Sequence, residues 1–262
     1  MLNVFTICLD SAPWIYHHLP VFNRLRIPWC WVIVEGVARN TGSTKWCQRL
    51  EPRLSQDGSH EYLNSIADHP CVTVISRTEW EGGKDQMTNR CLDEFKEPGI
   101  LLQVDSDELW TADQLETIVK AFEANRQMMF AFFFCRYFLG QNIIVTSENS
   151  YGNRHGEWLR AWRYQPGMRF TSHEPPNLTG AEVRWMSGFS REQTRQMGLV
   201  FDHPSYATEA QVRFKMEFYG YRDAVDQWKK LQANTDWPCQ DVRLFLPWVG
   251  PGVVADLLWK PS

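Results

Sequence analysis

Short apolar runs alternate with stretches of helical periodicity through the first half of the chain. The runs predict strands because they are short, rich in β-branched and aromatic residues, and bounded by Gly, Pro or polar residues. These strands are Asn3–Leu9, Trp29–Val34, Cys71–Ser76, Ile100–Val104 and Met128–Phe138. The stretches between them predict helices over Trp14–Leu25, Glu61–Ala67, Lys84–Phe95 and Ala112–Arg126. Strands joined by helices favour parallel pairing, so the sequence predicts an α/β fold with a mostly parallel sheet flanked by helices.

The second half of the chain is less regular. A polar stretch over Thr146–Gly156 predicts a loop, and Gly198–Phe201 predicts a further strand. The longest helical pattern covers Thr208–Leu231 and predicts a long C-terminal helix. A tail rich in Pro and Trp follows over Trp237–Ser262, and we expect it to wrap the domain.

An acidic cluster of Asp105, Asp107 and Glu108 follows the strand predicted over Ile100–Val104. In an extended chain Asp105 and Asp107 point to one side and Glu108 to the other. Carboxylates at the carboxyl end of a buried strand lie where open α/β sheets bind ligands. Two such oxygen ligands favour Mg²⁺ or Mn²⁺. The alternative is a solvated acidic turn ahead of a helix capped by Thr111.

Composition narrows the function classes. The net charge of −4, with both signs interspersed, argues against a nucleic-acid partner. The chain has neither a Gly-x-Gly-x-x-Gly turn nor a Gly-Lys-Ser/Thr phosphate loop. The 13 tryptophans suit stacking on a sugar or a base, although most large rings belong to the core. We consider six of them for stacking, at positions 14, 80, 110, 158, 162 and 185.

The same features predict a cytoplasmic protein. The seven cysteines form no Cys-x-x-Cys pair, which is typical of free thiols in a reducing compartment. The first residues already predict a strand, which argues against a secretory signal. No apolar run reaches the ~20 residues that a transmembrane helix needs. The Trp-rich tail leaves a peripheral membrane contact open.

Several motifs occur in the order found in GT-A glycosyltransferases. In the first half these are a strand ending at Glu35, Gly83-Lys84 ahead of a helix that contains Asn89, and Asp105-x-Asp107 after a strand. In the second half an Arg160–Arg163 segment precedes His173-Glu174, and His203-x-x-Tyr206 precedes a helix. The chain thus most closely resembles family 2-type transferases with an "HE" and a later "H-x-x-Y" motif.

The resemblance implies a GT-A type, Rossmann-like fold and a metal-dependent glycosyltransferase. Such an enzyme moves a sugar from a nucleoside-diphosphate-sugar donor to an acceptor hydroxyl, with inversion, in glycan or polysaccharide synthesis. It further implies one domain over residues 1–231. Within that domain, residues 1–110 form the nucleotide-sugar-binding half and residues 111–231 the acceptor-binding half. A Trp/Pro-rich extension follows over residues 232–262.

The resemblance also assigns roles to individual residues. Asp105 and Asp107 would hold Mn²⁺ or Mg²⁺, with His203 completing the metal shell, and Asp107 would also act in catalysis. Glu174 would be the general base, with His173 as the alternative base or a metal ligand. Four residues are assigned to binding of the nucleotide sugar. Asp10 and Glu35 would contact the nucleotide, Lys84 would contact the diphosphate, and Asp105 would lie beside the diphosphate.

Each assignment has a simpler alternative. Glu174 would pair with one of the arginines at positions 160, 163 and 169 and only shape the acceptor pocket. Lys84 would be a solvated lysine in the first turn of a helix, and His203 would bond to backbone. Two other function classes also remain open. One is a haloacid-dehalogenase-like phosphohydrolase, which carries Asp-x-Asp near its N-terminus, and the other is a non-catalytic carbohydrate-binding module.

Overall fold

The computed structural model describes residues 1–147, 158–180 and 187–259. Trp185 and most of the loop predicted over Thr146–Gly156 lie outside these ranges. The described strands are β1 (Leu2–Cys8), β2 (Trp29–Ala38), β3 (Val72–Trp80), β4 (Gly99–Gln103), β5 (Phe130–Phe132), β6 (Phe134–Tyr137), β7 (Ile143–Val145), β8 (Leu159–Tyr164), β9 (Arg169–His173), β10 (Pro176–Thr179), β11 (Gly188–Phe189), β12 (Val200–His203) and β13 (Ala255–Leu257). The described helices are α1 (His18–Phe22), α2 (Ser59–Ile66), α3 (Gly83–Leu92), α4 (Ala112–Ala124), α5 (Arg191–Gln196), α6 (Glu209–Tyr219) and α7 (Ala224–Gln232).

A seven-stranded sheet with the order β11-β5-β8-β4-β1-β2-β3 forms the centre of the molecule. Strands β3, β2, β1 and β4 are parallel, whereas β8 runs antiparallel to both β4 and β5. The predicted mostly parallel, Rossmann-like sheet is therefore confirmed. Because these four parallel strands point the same way, the segments that follow β1 and β4 meet at one edge of the sheet.

Both faces of the central sheet are covered. Along β1 and β4, neighbouring side chains alternate between two buried clusters: Val4 and Leu102 face one cluster, and Phe5 and Leu101 face the other. The strands of a parallel sheet that is buried on both faces have nearly continuous apolar sequences, which is why these strands could be predicted.

Two helices differ from their predictions. The stretch predicted over Trp14–Leu25 forms a 3₁₀ turn over Trp14–His17 followed by the short α1. Pro20 lies within α1 and offers no backbone N–H for an i→i−4 bond, which disfavours one continuous helix over this stretch.

The long C-terminal helix predicted over Thr208–Leu231 is wrong, since the structure forms α6 and α7 instead. Gly220 ends α6 with a φ of 72°, in the left-handed region that glycine adopts without a Cβ clash. Its backbone N–H donates to the Met216 carbonyl at 3.0 Å. The longest described helix is α4, which begins with the Thr111–Gln114 capping box.

The strand predicted over Met128–Phe138 is divided at Phe133. Its first part, β5, belongs to the central sheet, and its second part, β6, pairs in parallel with β12 in a separate two-stranded sheet. At the division, the Phe133 backbone N–H donates to the Trp158 carbonyl at 2.9 Å. The chain thus leaves the central sheet at Phe133. The pairing of β6 with β12 brings β12 close to the end of β4.

The C-terminal segment packs into the core. Strand β13 pairs antiparallel with β7, and Val242, Leu246 and Val253 are fully buried. Leu244 and Trp259 are exposed. None of the described helices is long and apolar enough to cross a bilayer.

Candidate active site

A cavity of about 620 Å³ opens at the edge where β1 and β4 end. Asp10 after β1, Asp105 and Asp107 after β4, Glu174 after β9 and His203 at the end of β12 all line it. This is the position at which open α/β sheets bind ligands. The structure therefore brings together side chains that are separated by up to almost two hundred residues in the chain.

A backbone bridge joins the acidic segment to β12. The Leu109 N–H donates to the Asp202 carbonyl at 2.7 Å, and the Asp202 N–H donates to the Leu109 carbonyl at 3.2 Å. Because of this bridge, Nε2 of His203 lies 3.2 Å from Oδ1 of Asp107. The structure thus places these two predicted metal ligands side by side.

The imidazole of His203 is held by aromatic packing. The rings of Tyr137 and Trp158 lie edge-on to it, with centroids 5.0 and 4.9 Å away. Burial by itself would raise the pKa of Asp107, but the adjacent His203 lowers it well below its usual value. Asp107 is therefore a carboxylate at neutral pH.

Asp105 faces a different partner. The segment after β4 is a turn rather than an extended chain, with the Glu108 N–H donating to the Asp105 carbonyl at 2.9 Å. Oδ2 of Asp105 accepts from Arg160 at 3.3 Å, and Oδ1 accepts from Gln103 at 3.0 Å. Burial opposes ionisation of Asp105, yet Arg160 lowers its pKa. Although this segment is a turn, Asp105 and Asp107 both line the cavity and the fully buried Glu108 does not, as the prediction of their sides requires.

Arg160 forms the centre of a buried ionic network beneath the cavity. Its Nε donates to Oε1 of the fully buried Glu108 at 2.8 Å while its Nη2 contacts Asp105. Arg160 also lies over the ring of Trp158, 4.7 Å from the centroid. Burial raises the pKa of Glu108 to about 8. The buried guanidinium, with Asp105 and Glu108 as partners, fixes the acidic turn from below.

Glu174 forms an ion pair with Lys84. Nζ of Lys84 lies 3.3 Å from Oε2 of Glu174, and the two side chains are 18% and 43% exposed. Lys84 lowers the pKa of Glu174. Its ammonium also lies over Phe218 and Tyr219, 5.3 and 5.8 Å from the ring centroids. Lys84 is therefore not the solvated first-turn lysine of the simpler alternative.

The arginines expected to pair with Glu174 have other partners. Arg163 donates to the Phe122 and Met128 carbonyls, and Arg169 pairs with Asp93. Arg160 pairs with Asp105 and Glu108 of the acidic turn. Within the described residues, none of these three arginines contacts Glu174. The interpretation of Glu174 as an arginine-paired residue is wrong.

His173 is buried directly beside this pair. Burial lowers the pKa of His173 to about 4, so its ring is neutral. Its Nε2 lies 3.3 Å from Nε2 of Gln103, the residue that donates to Asp105. His173 thus supports the acidic turn through Gln103, and its contacts give no direct support to a role as metal ligand.

Asp10 and Glu35 bind protein rather than presenting free carboxylates. Asp10 pairs with Arg53, and its other oxygen accepts from the Gln56 backbone N–H at 2.8 Å. Glu35 is fully buried, with Ser55 and Ser76 among its hydrogen-bond donors. The Glu35 carboxylate does not line the cavity, so the structure gives no support to the predicted contact with the nucleotide. Both acids instead hold the loop after β2 against the site.

One face of α6 forms a wall of the cavity. Its lining residues recur at the spacing of an α-helix and are Gln211, Phe214, Lys215, Phe218 and Tyr219. Lys215 lies over the rings of Tyr206 and Tyr219, 5.2 and 5.9 Å from their centroids. Lys215 is not among the residues predicted from the sequence, although its place on the apolar stripe of a predicted helix was a visible signal.

The donor set suits a divalent cation held by two protein ligands. Asp107 offers a carboxylate oxygen and His203 an imidazole nitrogen, and two ligands leave most of an octahedral shell for substrate oxygens and water. Across residues 1–147, 158–180 and 187–259, no three His, Cys, Asp or Glu side chains are grouped to hold a metal. The three-ligand set predicted from the sequence is therefore not assembled, since Asp105 pairs with Arg160.

The mostly parallel, Rossmann-like sheet is the fold expected of a GT-A type glycosyltransferase. The model of the family described as "Glycosyl transferase family 2" matches residues 54–198, more than half of the chain. The chain therefore belongs to glycosyltransferase family 2. This membership favours a glycosyltransferase over the phosphohydrolase and carbohydrate-binding-module alternatives.

Solved structures with a similar fold are distant from this chain. S. aureus TarS (residues 1–349) is 14% identical with a TM-score of 0.44, and the match covers 62% of this chain and 46% of TarS. The mannosyltransferase PcManGT from Pyrobaculum calidifontis, in complex with GDP-Man and Mn²⁺, is 16% identical with a TM-score of 0.49 and coverages of 90% and 65%. The chain thus spans about half the length of TarS. No curated protein sequence matches it.

Proposed function

We propose that this enzyme transfers a sugar from a nucleoside-diphosphate-sugar donor to an acceptor hydroxyl in a divalent-metal-dependent, inverting reaction of glycan or polysaccharide synthesis. Asp107 and His203 are the protein ligands of Mn²⁺ or Mg²⁺, and Glu174 is the general base. We further place the enzyme in a reducing, cytoplasmic compartment, which its seven cysteines support because none of them forms a disulfide within the described residues.

The 3.2 Å contact between Asp107 and His203 supports this proposal most strongly. The two residues come from segments that are distant in the chain, and the backbone bridge between Leu109 and Asp202 holds them together. A purely structural pair would not need to face a large cavity. This pair lies in the lining of the same cavity as Glu174.

The reaction exchanges one bond to the anomeric carbon for another. The acceptor oxygen bonds to this carbon while the bond from the carbon to the diphosphate oxygen breaks, and the bonding electron pair leaves with the diphosphate. The acceptor proton passes to a carboxylate oxygen of Glu174. A bound divalent cation supplies Lewis-acid stabilisation of the charge that grows on the leaving diphosphate.

Lys84 prepares Glu174 for this role. A general base must be ionised before it accepts a proton, and the ammonium of Lys84 favours the ionised carboxylate. The same contact positions the carboxylate, because Lys84 is itself held over Phe218 and Tyr219. Lys84 is thus a positioning residue in this proposal.

The test is calorimetric titration of UDP, GDP and dTDP, each with and without Mn²⁺. We expect at least one nucleotide to bind more tightly with Mn²⁺, and Asp107→Asn to remove this gain, with Mn²⁺ affinity falling about tenfold or more. Asp113→Asn is the matched control, because the Asp113 side chain is 93% exposed and outside the cavity. A gain from Mn²⁺ that persists in Asp107→Asn would contradict the metal role.

A further inference from the structure

The cavity contains a lysine to which the family resemblance assigned no role. Lys215 lies on α6, one turn after Gln211 and one turn before Tyr219, on the face that lines the cavity. Its stem is half-buried, and its ammonium is held by the two tyrosine rings of positions 206 and 219. Cation–π contacts of this kind orient an ammonium without neutralising its charge.

Lys215 differs from the other cationic side chains of the cavity in its electrostatic environment. Lys84 pairs with Glu174, and Arg160 pairs with Glu108 and Asp105. Within the described residues, Lys215 forms no ion pair with a carboxylate. Burial lowers the pKa of Lys215, and among the carboxylates Asp107 attracts its ammonium most strongly. The protein thus keeps a desolvated positive charge beside the proposed metal ligands without a protein anion to pair with it.

The charge of the site indicates which ligand this lysine would bind. The diphosphate of a nucleotide sugar carries two negative charges, and a third develops when the sugar departs. A divalent cation beside Asp107 leaves one net positive charge, so one additional cation is needed to balance the bound diphosphate. Lys84 does not meet this need, because Glu174 already neutralises it. Lys215 does.

We propose that Lys215, rather than Lys84, binds the diphosphate of the donor and stabilises the leaving nucleoside diphosphate through a charge-assisted hydrogen bond. This inference rests on the proposed function and names a residue of the same site. It assigns two distinct roles to the two lysines: Lys84 positions the base, and Lys215 contacts the leaving group. A lysine ammonium is a common point-charge partner of phosphate oxygens.

The test compares Lys215→Met with wild-type protein in calorimetric titrations with UDP, GDP and their parent nucleosides, uridine and guanosine, in the absence of metal. Methionine keeps the aliphatic stem and removes the charge. We expect the affinity for the nucleoside diphosphate to fall about tenfold to hundredfold, the usual effect of losing one charged hydrogen bond. Affinity for the nucleoside should stay unchanged, and Lys215→Arg should retain most of the nucleoside diphosphate affinity.

Lys120→Met is the matched control, because Lys120 is 65% exposed and lies outside the cavity. Equal nucleoside diphosphate affinity in Lys215→Met and wild-type protein would overturn the inference and leave the proposed function intact. An equal loss of nucleoside affinity would also overturn it, since the lysine would then only support the fold. Wild-type protein that binds no nucleoside diphosphate, with or without Mn²⁺, would overturn the proposed function and this inference together.

Discussion

Replacing Lys84 with methionine should move the acidic limb of the pH–rate profile upward. The ammonium of Lys84 lies 3.3 Å from the carboxylate of Glu174 and favours its ionised form. Without this charge the pKa of Glu174 rises, so the base becomes protonated, and the rate falls, at a higher pH than in wild-type protein. Methionine fills the same space, which keeps the packing against Phe218 and Tyr219.

The size of the shift follows from the exposure of the pair. The Glu174 side chain is 43% exposed, so solvent screens the interaction and the water-like limit of Coulomb's law applies. At this separation the interaction is about 1 kcal/mol, at the upper end of the range for exposed ion pairs. This value corresponds to a shift of about one pH unit in the acidic limb.

The assay does not require the acceptor. Slow hydrolysis of a UDP-sugar or GDP-sugar, with water in place of the acceptor, releases the nucleoside diphosphate, which chromatography quantifies from about pH 4 to 9. Lys84→Arg should keep the wild-type profile, and Lys120→Met should leave it unchanged. If Lys84→Met shows the wild-type acidic limb, another group is the base and the pairing is only structural.

Two further predictions concern the base and the C-terminal segment. Glu174→Gln should lower kcat of donor hydrolysis about 10²–10⁴-fold with unchanged nucleotide affinity, measured by steady-state kinetics and calorimetry; parallel losses of both would contradict the assignment. Leu246→Ala should lower the free energy of unfolding by about 2–5 kcal/mol in urea titrations, because Leu246 is fully buried. Leu244→Ala should change it little, since Leu244 is 75% exposed, and similar losses in both variants would show that the segment is not part of the core.

The sequence predicted what depends on local patterns. The apolar runs located the parallel strands, and the Thr111 capping signal located the start of α4. The order of the motifs pointed to Asp107 and His203 as members of one site, and the structure places them in contact. These features were accessible because strand burial, helix capping and motif order each leave a signature in neighbouring residues.

The sequence could not predict features that depend on contacts between distant segments. In the sequence, Asp105 and Asp107 look equivalent. In the structure, Arg160 on the neighbouring strand β8 binds Asp105. Glu35 matched a ligand position by its place at a strand end, yet Ser55 and Ser76 surround its carboxylate. The pairing of distant ionic side chains has no periodicity along the chain.

The bridge between Leu109 and Asp202 has a consequence for how the chain can diverge. Its two hydrogen bonds use only main-chain atoms, so the side chains at these two positions are not what joins Asp107 to His203. The segment between Leu109 and Asp202 is about ninety residues long, and it begins and ends at this bridge. Substitutions, insertions and deletions in that span can therefore change the surroundings of the cavity while Asp107 and His203 keep their separation.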